Sequence, residues 1–335
     1  MFNYKSVLVT GGTGSFGKKF IATILKDYPS LEKVIVFSRD EFKQFTMSNM
    51  PEFRNQNKLR FFIGDVRDKE RLYRAFDGID VVIHAAALKQ VPSCEYNPFE
   101  AIKTNILGAQ NVIDAAIDRD VKRVIALSTD KACAPINLYG ATKLCADKLF
   151  IAGNVYSGWR KTRFSVVRYG NVVGSRGSVI PYFKELIGKG VKELPITDYR
   201  MTRFWLKLED AVKMVLRGLE LMQEGEIFVK KVPSMKIVEL AKIMAPSLKI
   251  KEVGIRPGEK LHELLISRED AQHTIDCGDY YVIQPMQQIL GDQKKFIPAR
   301  LLDQNFEYSS GNNHEWLTEE QMLNMIQDLE NDSYV

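Results

Sequence analysis

The chain has 335 residues, with 47 basic and 42 acidic side chains and a net charge of +5. Its 45% apolar content suits a soluble globular protein of two domains, or one large domain with a smaller lobe. Cys94, Cys133, Cys145 and Cys277 lack CxxC or Cys/His ligand spacing, which argues against a metal site and a secreted disulfide framework. No run approaches the roughly 18 apolar residues of a membrane span, and no signal peptide precedes the first strand-like segment, so a cytoplasmic location is expected. The basic residues are dispersed, which does not indicate nucleic acid.

Short apolar runs alternate with helical patterns over the first two thirds, the mark of βαβ units around a parallel sheet. Strands are expected at Ser6–Thr10, Val34–Ser38, Arg60–Ile63, Val81–Ala85, Arg123–Ser128 and Phe164–Tyr169. Helices are expected over about 15–26 and 98–118, and from Leu138. After Gly170 the texture becomes rich in Gly, Pro, Arg and Ser. The expected fold is α/β: a Rossmann-type doubly wound parallel sheet with a smaller, mixed substrate-binding lobe. Residues 1–170 would form the dinucleotide-binding domain, to which the chain returns around 205–230. Residues 171–204 and 231–335 would form the lobe and a C-terminal extension.

The loop Thr10-Gly11-Gly12-Thr13-Gly14-Ser15-Phe16-Gly17 sits between a strand and a helix. Gly11 and Gly14 would admit a pyrophosphate close to backbone, and Gly17 would let helix approach strand. Thr13, Ser15 and Phe16 complete this cofactor loop. After the second strand, Ser38-Arg39-Asp40 places an arginine where a 2′-phosphate would lie, favouring NADP over NAD, with Asp40 as the competing NAD feature. Asp65 and Val66 follow the third strand near an adenine. Ala85, Ala86 and Lys89 follow the fourth, where a nicotinamide ribose would pass. These last two segments also fit ordinary strand-end packing, and His84 reads as a satisfied core histidine.

Ser128-Thr129-Asp130-Lys131 precedes Tyr139-Gly140-Ala141-Thr142-Lys143. Tyr139 and Lys143 share a helix face, and a nearby ammonium would bring the phenol toward a usable pKa. Joined to the glycine loop, the pair reads as a redox site. Together these residues resemble the extended short-chain dehydrogenase/reductase family over about residues 4–265. The blocks TGGTGSFGK, FSRDE, FFIGDVRD, STDKA, INLYGATKL, RYGNVVGSRGSV, ITDYRMTRFW and RPGEKLHE are similar to those of the inverting UDP-N-acetylglucosamine 4,6-dehydratases that begin pseudaminic acid synthesis. Asp130-Lys131 is the sharpest of these marks, because retaining dehydratases resemble this pattern with Asp-Glu and epimerases lack the charged pair.

The resemblance implies a redox-neutral cycle on UDP-N-acetylglucosamine. Tyr139, helped by Lys143 and Thr129, would deprotonate O4 while hydride leaves C4 for NADP. Lys131, as a neutral amine of lowered pKa, would take the C5 proton, and Asp130, as a carboxylic acid of raised pKa, would protonate the departing C6 hydroxyl. Hydride return to C6 and protonation of C5 from the opposite face would invert that centre. Lys89, Asn171, Val179, Arg256 and Glu259 would hold the nucleotide-sugar, Arg256 by pairing with its diphosphate. Pro181, Arg200 and Arg203 lie in the same region, and a salt-bridge or loop role fits the two arginines equally. Homo-oligomers, dimeric or larger, are also implied.

Two positions depart from the resemblance. Relatives with K-H-V-P and K-A-x-N-P contrast here with Lys89-Gln90-Val91-Pro92 and Lys131-Ala132-Cys133-Ala134-Pro135. Both could alter the late steps, so hydride return to C4 with release of a UDP-6-deoxy-5,6-ene sugar is a competing outcome. A sugar-nucleotide epimerase or reductase would use Tyr139 and Lys143 without elimination, and a non-catalytic dinucleotide sensor would use the glycine loop alone.

Overall fold

The computed structural model describes residues 3–175, 177–285, 300–330 and Tyr334. Strands β1 (Ser6–Thr10), β2 (Lys33–Ser38), β3 (Leu59–Ile63), β4 (Val81–His84), β5 (Arg123–Thr129) and β6 (Arg163–Tyr169) run parallel in the order β3-β2-β1-β4-β5-β6. This is the doubly wound arrangement, with a change of direction between β1 and β4 at whose carboxyl ends ligands bind in such sheets. Valine, isoleucine and leucine fill the central strands because both sheet faces are covered. Alternation along β1 shows it. Val7 and Val9 pack into one layer with Phe20, Ile21, Val212 and Val215, while Leu8 packs into the other with Leu72, Val112 and Phe150.

The helices are α1 (Ser15–Asp27), α2 (Glu41–Ser48), α3 (Lys69–Ala75), α4 (Val91–Tyr96), α5 (Pro98–Ile102), α6 (Gly108–Asp118) and α7 (Leu138–Tyr156), followed by further short elements. The expected helix over 98–118 is broken in the middle by a π-helical turn at Lys103–Leu107, a feature that often marks functional sites. It turns Asn105 inward: the side chain accepts from Leu88 N at 2.8 Å and donates to Leu88 O at 2.9 Å and Thr142 Oγ1 at 3.0 Å. The loop after β4 is thereby fastened to α7.

Past β6, helix Leu208–Leu221 packs beside α1, and strand Ile227–Lys230 returns parallel to β6. Strands Tyr280–Ile283 and Thr274–Asp276 then continue the same sheet antiparallel. These last strands lie inside 231–335, the stretch whose texture points to the lobe. Their inward residues, Val282 and Ile275, belong to the sheet's own core, so short strands joined by a Gly-containing turn are hidden in a segment lacking long periodicity. A separate apolar core holds Ile180, Phe183, Leu194, Ile196, Trp205, Leu240 and Met322.

His84 ends β4, fully buried, with Nδ1 2.9 Å from the Thr10 hydroxyl. Burial, and then the Lys143 charge, depress its pKa to about 3. An unfolded histidine titrates near 6.5, so the folded protein stays neutral here while the unfolded chain gains a proton. Stability from this group is therefore full above about pH 6.5 and is lost as pH falls toward about 3, by up to ~1.4 kcal/mol per pH unit. Urea unfolding of the wild type and of His84→Asn between about pH 7 and about pH 5 should show the slope reduced by about one proton in the variant.

Candidate active site

The glycine loop forms a cradle that side chains would fill. A Cβ at Gly11, whose φ is +66°, would stand 2.9 Å from Ala86 N, and one at Gly17 would stand 2.5 Å from Gly12 O. Gly11 therefore lets the loop meet the strand end at Ala85-Ala86, and Gly17 lets α1 close on β1. Gly14 caps α1 without a side-chain acceptor, which suits an anion at the positive end of a 13-residue helix. Thr13 is buried, while Ser15 and Phe16 are half-buried in the first turn. The residues present fit a dinucleotide.

Around the end of β2, Asp40 is occupied as the cap of α2, accepting from Lys43 N at 2.9 Å. That bond, followed by the Lys43 ammonium, holds its carboxyl below the usual range. Arg39 is exposed, 3.6 Å from Asp65, which also receives two bonds from Arg67 at 3.0 and 2.7 Å. Ser38 is buried and bonded by Gln44 Nε2 at 3.0 Å. Val66 is buried against Gly108, so its side chain serves packing. Lys89 is exposed at the end of the loop that Asn105 anchors.

The reacting groups converge where β5 meets α7. The 3₁₀ turn Asp130–Ala132 follows β5, and Asn137 caps α7 by accepting from Gly140 N at 2.7 Å. Gly140 is required there, since any side chain would collide with the Lys131 carbonyl. Tyr139 and Lys143, one turn apart, are both buried. Thr129 Oγ1 donates to Asp130 Oδ1 at 2.9 Å. Lys131 Nζ lies 3.0 Å from Asp130 Oδ1 and 3.1 Å from Glu263 Oε1, and Arg203 Nε approaches Glu263 at 3.8 Å. Asp130 Oδ2 and Glu263 Oε2 are buried without partners among the described residues. Such oxygens cost about 1–3 kcal/mol each unless protonated or met by a ligand.

The electrostatics agree with expectation for one group and differ for two. Asp130 is raised by burial and by the Glu263 charge, against the pull of Lys131, as an acid catalyst needs. The expectation for Lys131 is a lowered, neutral amine. Burial does push it down, but Asp130 and Glu263 outweigh burial and leave it raised, hence cationic. The expectation for Lys143 is that it activates the phenol. Instead burial pushes Tyr139 up to about 12, and the opposing cation is Lys131, with a Thr129 hydrogen bond also lowering it. Lys143 is itself lowered by burial, which the Asp147 charge resists.

Sequence reasoning passes over the support beneath this cluster. Asp147, four residues beyond Lys143, accepts from Ser128 Oγ at 2.7 Å and lies 3.6 Å from buried Arg168. Arg168 in turn binds Asp270 at 3.0 Å and Leu265 O at 3.1 Å. The i,i+4 spacing of Lys143 and Asp147 is legible in the sequence; Arg168 and Glu263 fall within the blocks RYGNVVGSRGSV and RPGEKLHE, but nothing local says which groups they meet.

The later segments meet the cluster in part. Asn137 Nδ2 donates to Gly258 O at 2.8 Å and Lys260 Nζ to Cys133 O at 2.6 Å, so the Arg-Pro-Gly-Glu-Lys loop is pinned to the catalytic turn. Arg256 is exposed on that loop, 3.9 Å from Glu259, which accepts from Thr197 at 3.4 Å. Asn171 pairs with Trp205 in a short parallel ladder, and Val179 opens helix Val179–Gly188. Arg200 is tied to Asp198, whereas Arg203 reaches the cluster through Glu263. Ala134 holds a left-handed φ of +44°. Alanine there costs about 1–2 kcal/mol, a conformation asparagine bears more readily.

A family model described as polysaccharide biosynthesis protein matches residues 7–285. A relative from Campylobacter jejuni subsp. jejuni serotype O:23/36 (strain 81-176), named UDP-N-acetylglucosamine 4,6-dehydratase (inverting), is 56% identical over 98% of this chain and 99% of its own length. A Rickettsia canadensis relative named UDP-glucose 4-epimerase is 44% identical over 93% of this chain and 92% of its own. The X-ray structure of Pen from Bacillus thuringiensis superposes with a TM-score of 0.89 at 37% identity, covering 98% of this chain and 99% of that one. With a doubly wound sheet, a glycine cradle at its switch point and a tyrosine–lysine helix beside it, the chain belongs to the polysaccharide biosynthesis protein family of extended short-chain dehydrogenases/reductases.

Proposed function

We propose that the protein dehydrates UDP-N-acetylglucosamine across C5 and C6, inverting C5 and leaving a 4-keto sugar, UDP-2-acetamido-2,6-dideoxy-β-L-arabino-hexos-4-ulose. The observation that carries this reading is the ion pair of buried Asp130 with half-buried Lys131 beside Tyr139, since dehydration needs an acid and a base that a simple C4 oxidation does not. The 56% identical Campylobacter relative carries the same activity in its name.

In this mechanism residues 1–170, with the strands Ile227–Lys230, Thr274–Asp276 and Tyr280–Ile283 that extend the same sheet, hold the dinucleotide, and 171–204 with the rest of 231–335 supply the substrate-binding lobe and C-terminal extension. NADP, when bound, accepts hydride from C4 and supplies it to C6. Its preference over NAD is supported by Asp40 being committed to capping while Arg39 stands exposed. Tyr139, entering as the phenolate that Lys131 and the Thr129 hydroxyl favour, takes the O4 proton. Lys131 takes the C5 proton, which the adjacent ketone has acidified, and Asp130 gives a proton to the C6 hydroxyl as it leaves. Tyr139 thus gains one proton and Asp130 loses one, and the Thr129 hydroxyl contacts both groups. Lys131 then returns a proton to C5 from the other face. Arg256 and Glu259, with Lys89, Asn171 and Val179, contact the nucleotide-sugar.

The Rickettsia relative favours a second reading, in which Tyr139 and Lys143 serve a C4 epimerisation without elimination. Incubating the protein with UDP-N-acetylglucosamine in D₂O and following NMR and mass separates the two. The dehydratase gives loss of water, a C6 methyl and deuterium at C5. An epimer of unchanged mass selects the second reading, a vinylic C6 signal selects the 5,6-ene product, and an unchanged sugar sinks all three. A cytoplasmic homo-oligomer belongs to the same proposal. No described helix is long and apolar enough to cross a membrane, and Tyr96 and Phe99 on α4 and α5 stand exposed.

A further inference from the structure

We infer that Glu263 is a positioning residue that unloads Lys131: it accepts the lysine's proton across their 3.1 Å contact and so creates the amine that takes the C5 proton. The inference rests on the dehydratase reading above. A C5 base must be uncharged when it acts, yet Lys131 lies within 3.1 Å of two buried carboxyl groups, Asp130 and Glu263, and is a cation at rest. The proton must go to a neighbour. Asp130 cannot be that neighbour and also remain the acid for C6, because it enters the elimination already carrying the proton it will give away. Glu263 is free for the task. It is buried, its Oε1 faces Lys131, and its Oε2 has no partner among the described residues.

The step balances within the cluster. The N–H bond at Lys131 Nζ breaks and an O–H bond forms at Glu263, giving a neutral amine and a neutral carboxylic acid with no outside reagent. Burial penalises both charges and so works toward the neutral pair, while at rest the attraction between the charges outweighs it and keeps both ionised. Arg203 at 3.8 Å, with Lys260 also acting on Glu263, restrains the transfer and keeps Glu263 ionised at rest. Among the described residues Asp130 at 3.0 Å and Glu263 at 3.1 Å are the carboxyl groups in contact with Lys131, so they are its nearest proton acceptors. The position comes from the tertiary fold. Glu263 directly precedes strand Leu264–Ile266, and its N–H donates to Ser310 Oγ at 2.9 Å, which fixes the backbone under the catalytic turn.

Removing the acceptor should stall the cycle after C4 oxidation. In Glu263→Gln the single remaining carboxylate, Asp130, ionises to pair with Lys131, so base and acid are lost together. The expected result for the holoenzyme with UDP-N-acetylglucosamine in D₂O is a fall in dehydration of ~10²-fold or more. The absorbance of reduced nicotinamide should rise on mixing, and C5 of recovered substrate should stay undeuterated. A residue with only a structural role would not produce reduced cofactor. Turnover within about three-fold of wild type, or C5 deuteration without product, overturns the inference. Should Glu263→Gln not fold, Glu263→Asp decides it: kcat lowered ~10-fold with KM little changed supports the role, while a raised KM at unchanged kcat overturns it. Wild-type protein that leaves the sugar untouched overturns the dehydratase reading as well, whereas a dehydrating wild type beside an equally active Glu263→Gln overturns the Glu263 role alone.

Discussion

Tyr139→Phe should lower the turnover of UDP-N-acetylglucosamine by ~10³–10⁴-fold while leaving the fold and dinucleotide binding intact. The variant removes one oxygen from a buried ring packed with Cys94 and Ala101 and adds no volume. Its hydroxyl is the group on α7 that stands beside Thr129 to take a proton from O4. Burial holds the phenol up at about 12, with Asp130 adding to the rise, so the free phenol is a poor base at neutral pH. Lys131 and Thr129 pull in the other direction, and the variant leaves both in place. Rapid mixing should show no reduced nicotinamide on adding substrate, and C5 should not exchange in D₂O. Normal melting and bound cofactor would confirm that chemistry alone was lost. A variant with more than about a tenth of wild-type turnover would overturn the assignment.

Asp130→Asn should arrest the same reaction later. The amide is isosteric, so Thr129 and Lys131 keep a neighbour of the same shape, and Lys131 keeps its ion pair with Glu263. What disappears is the proton donor, a carboxyl whose pKa burial and the Glu263 charge raise. Loss of the C6 hydroxyl should slow ~10²–10⁴-fold, the range for removal of a general acid. Oxidation at C4 and removal of the C5 proton both survive, so recovered substrate should carry deuterium at C5. This sets the variant apart from Tyr139→Phe, in which nothing is oxidised, and from Glu263→Gln, in which C5 keeps its hydrogen. If Asp130→Asn dehydrates normally, the acid is another group and the epimerase reading gains. Room for the acid exists because Gly170 stands beside Oδ2, where a Cβ would come within 3.3 Å.

Much of this molecule can be read locally. The six strands of the doubly wound half, the glycine cradle and the tyrosine–lysine face all depend on residues within one strand, one turn or one helix, where periodicity and spacing are sufficient. The expected strand Arg123–Ser128 appears as Arg123–Thr129, and the helix expected from Leu138 begins there. Arg39 and Asp40 are legible as rivals for the cofactor's ribose, but only the α2 cap shows that Asp40 is engaged elsewhere.

The features that sequence reasoning misses share a cause: their partners are distant in the chain. Strands Thr274–Asp276 and Tyr280–Ile283 are recognisable as sheet only once they pair with Ile227–Lys230 and with each other. The π turn that aims Asn105 at Leu88 and Thr142 breaks a helical pattern that looks continuous in one dimension.

The same holds for the modest excess of positive charge, part of which stands at Arg39 and Arg256, exposed after β2 and on the Arg-Pro-Gly-Glu-Lys loop. By itself the sequence determined the fold class and the family, and it singled out the proposed Asp130–Lys131 pair, because these lie in contiguous motifs. The tertiary structure decided what Lys131 feels beyond its chain neighbour Asp130: Glu263 and Arg203, 132 and 72 positions further along the chain, are brought within 4 Å of the cluster. Coulombic interaction in a buried site follows distance in space and is indifferent to distance in sequence.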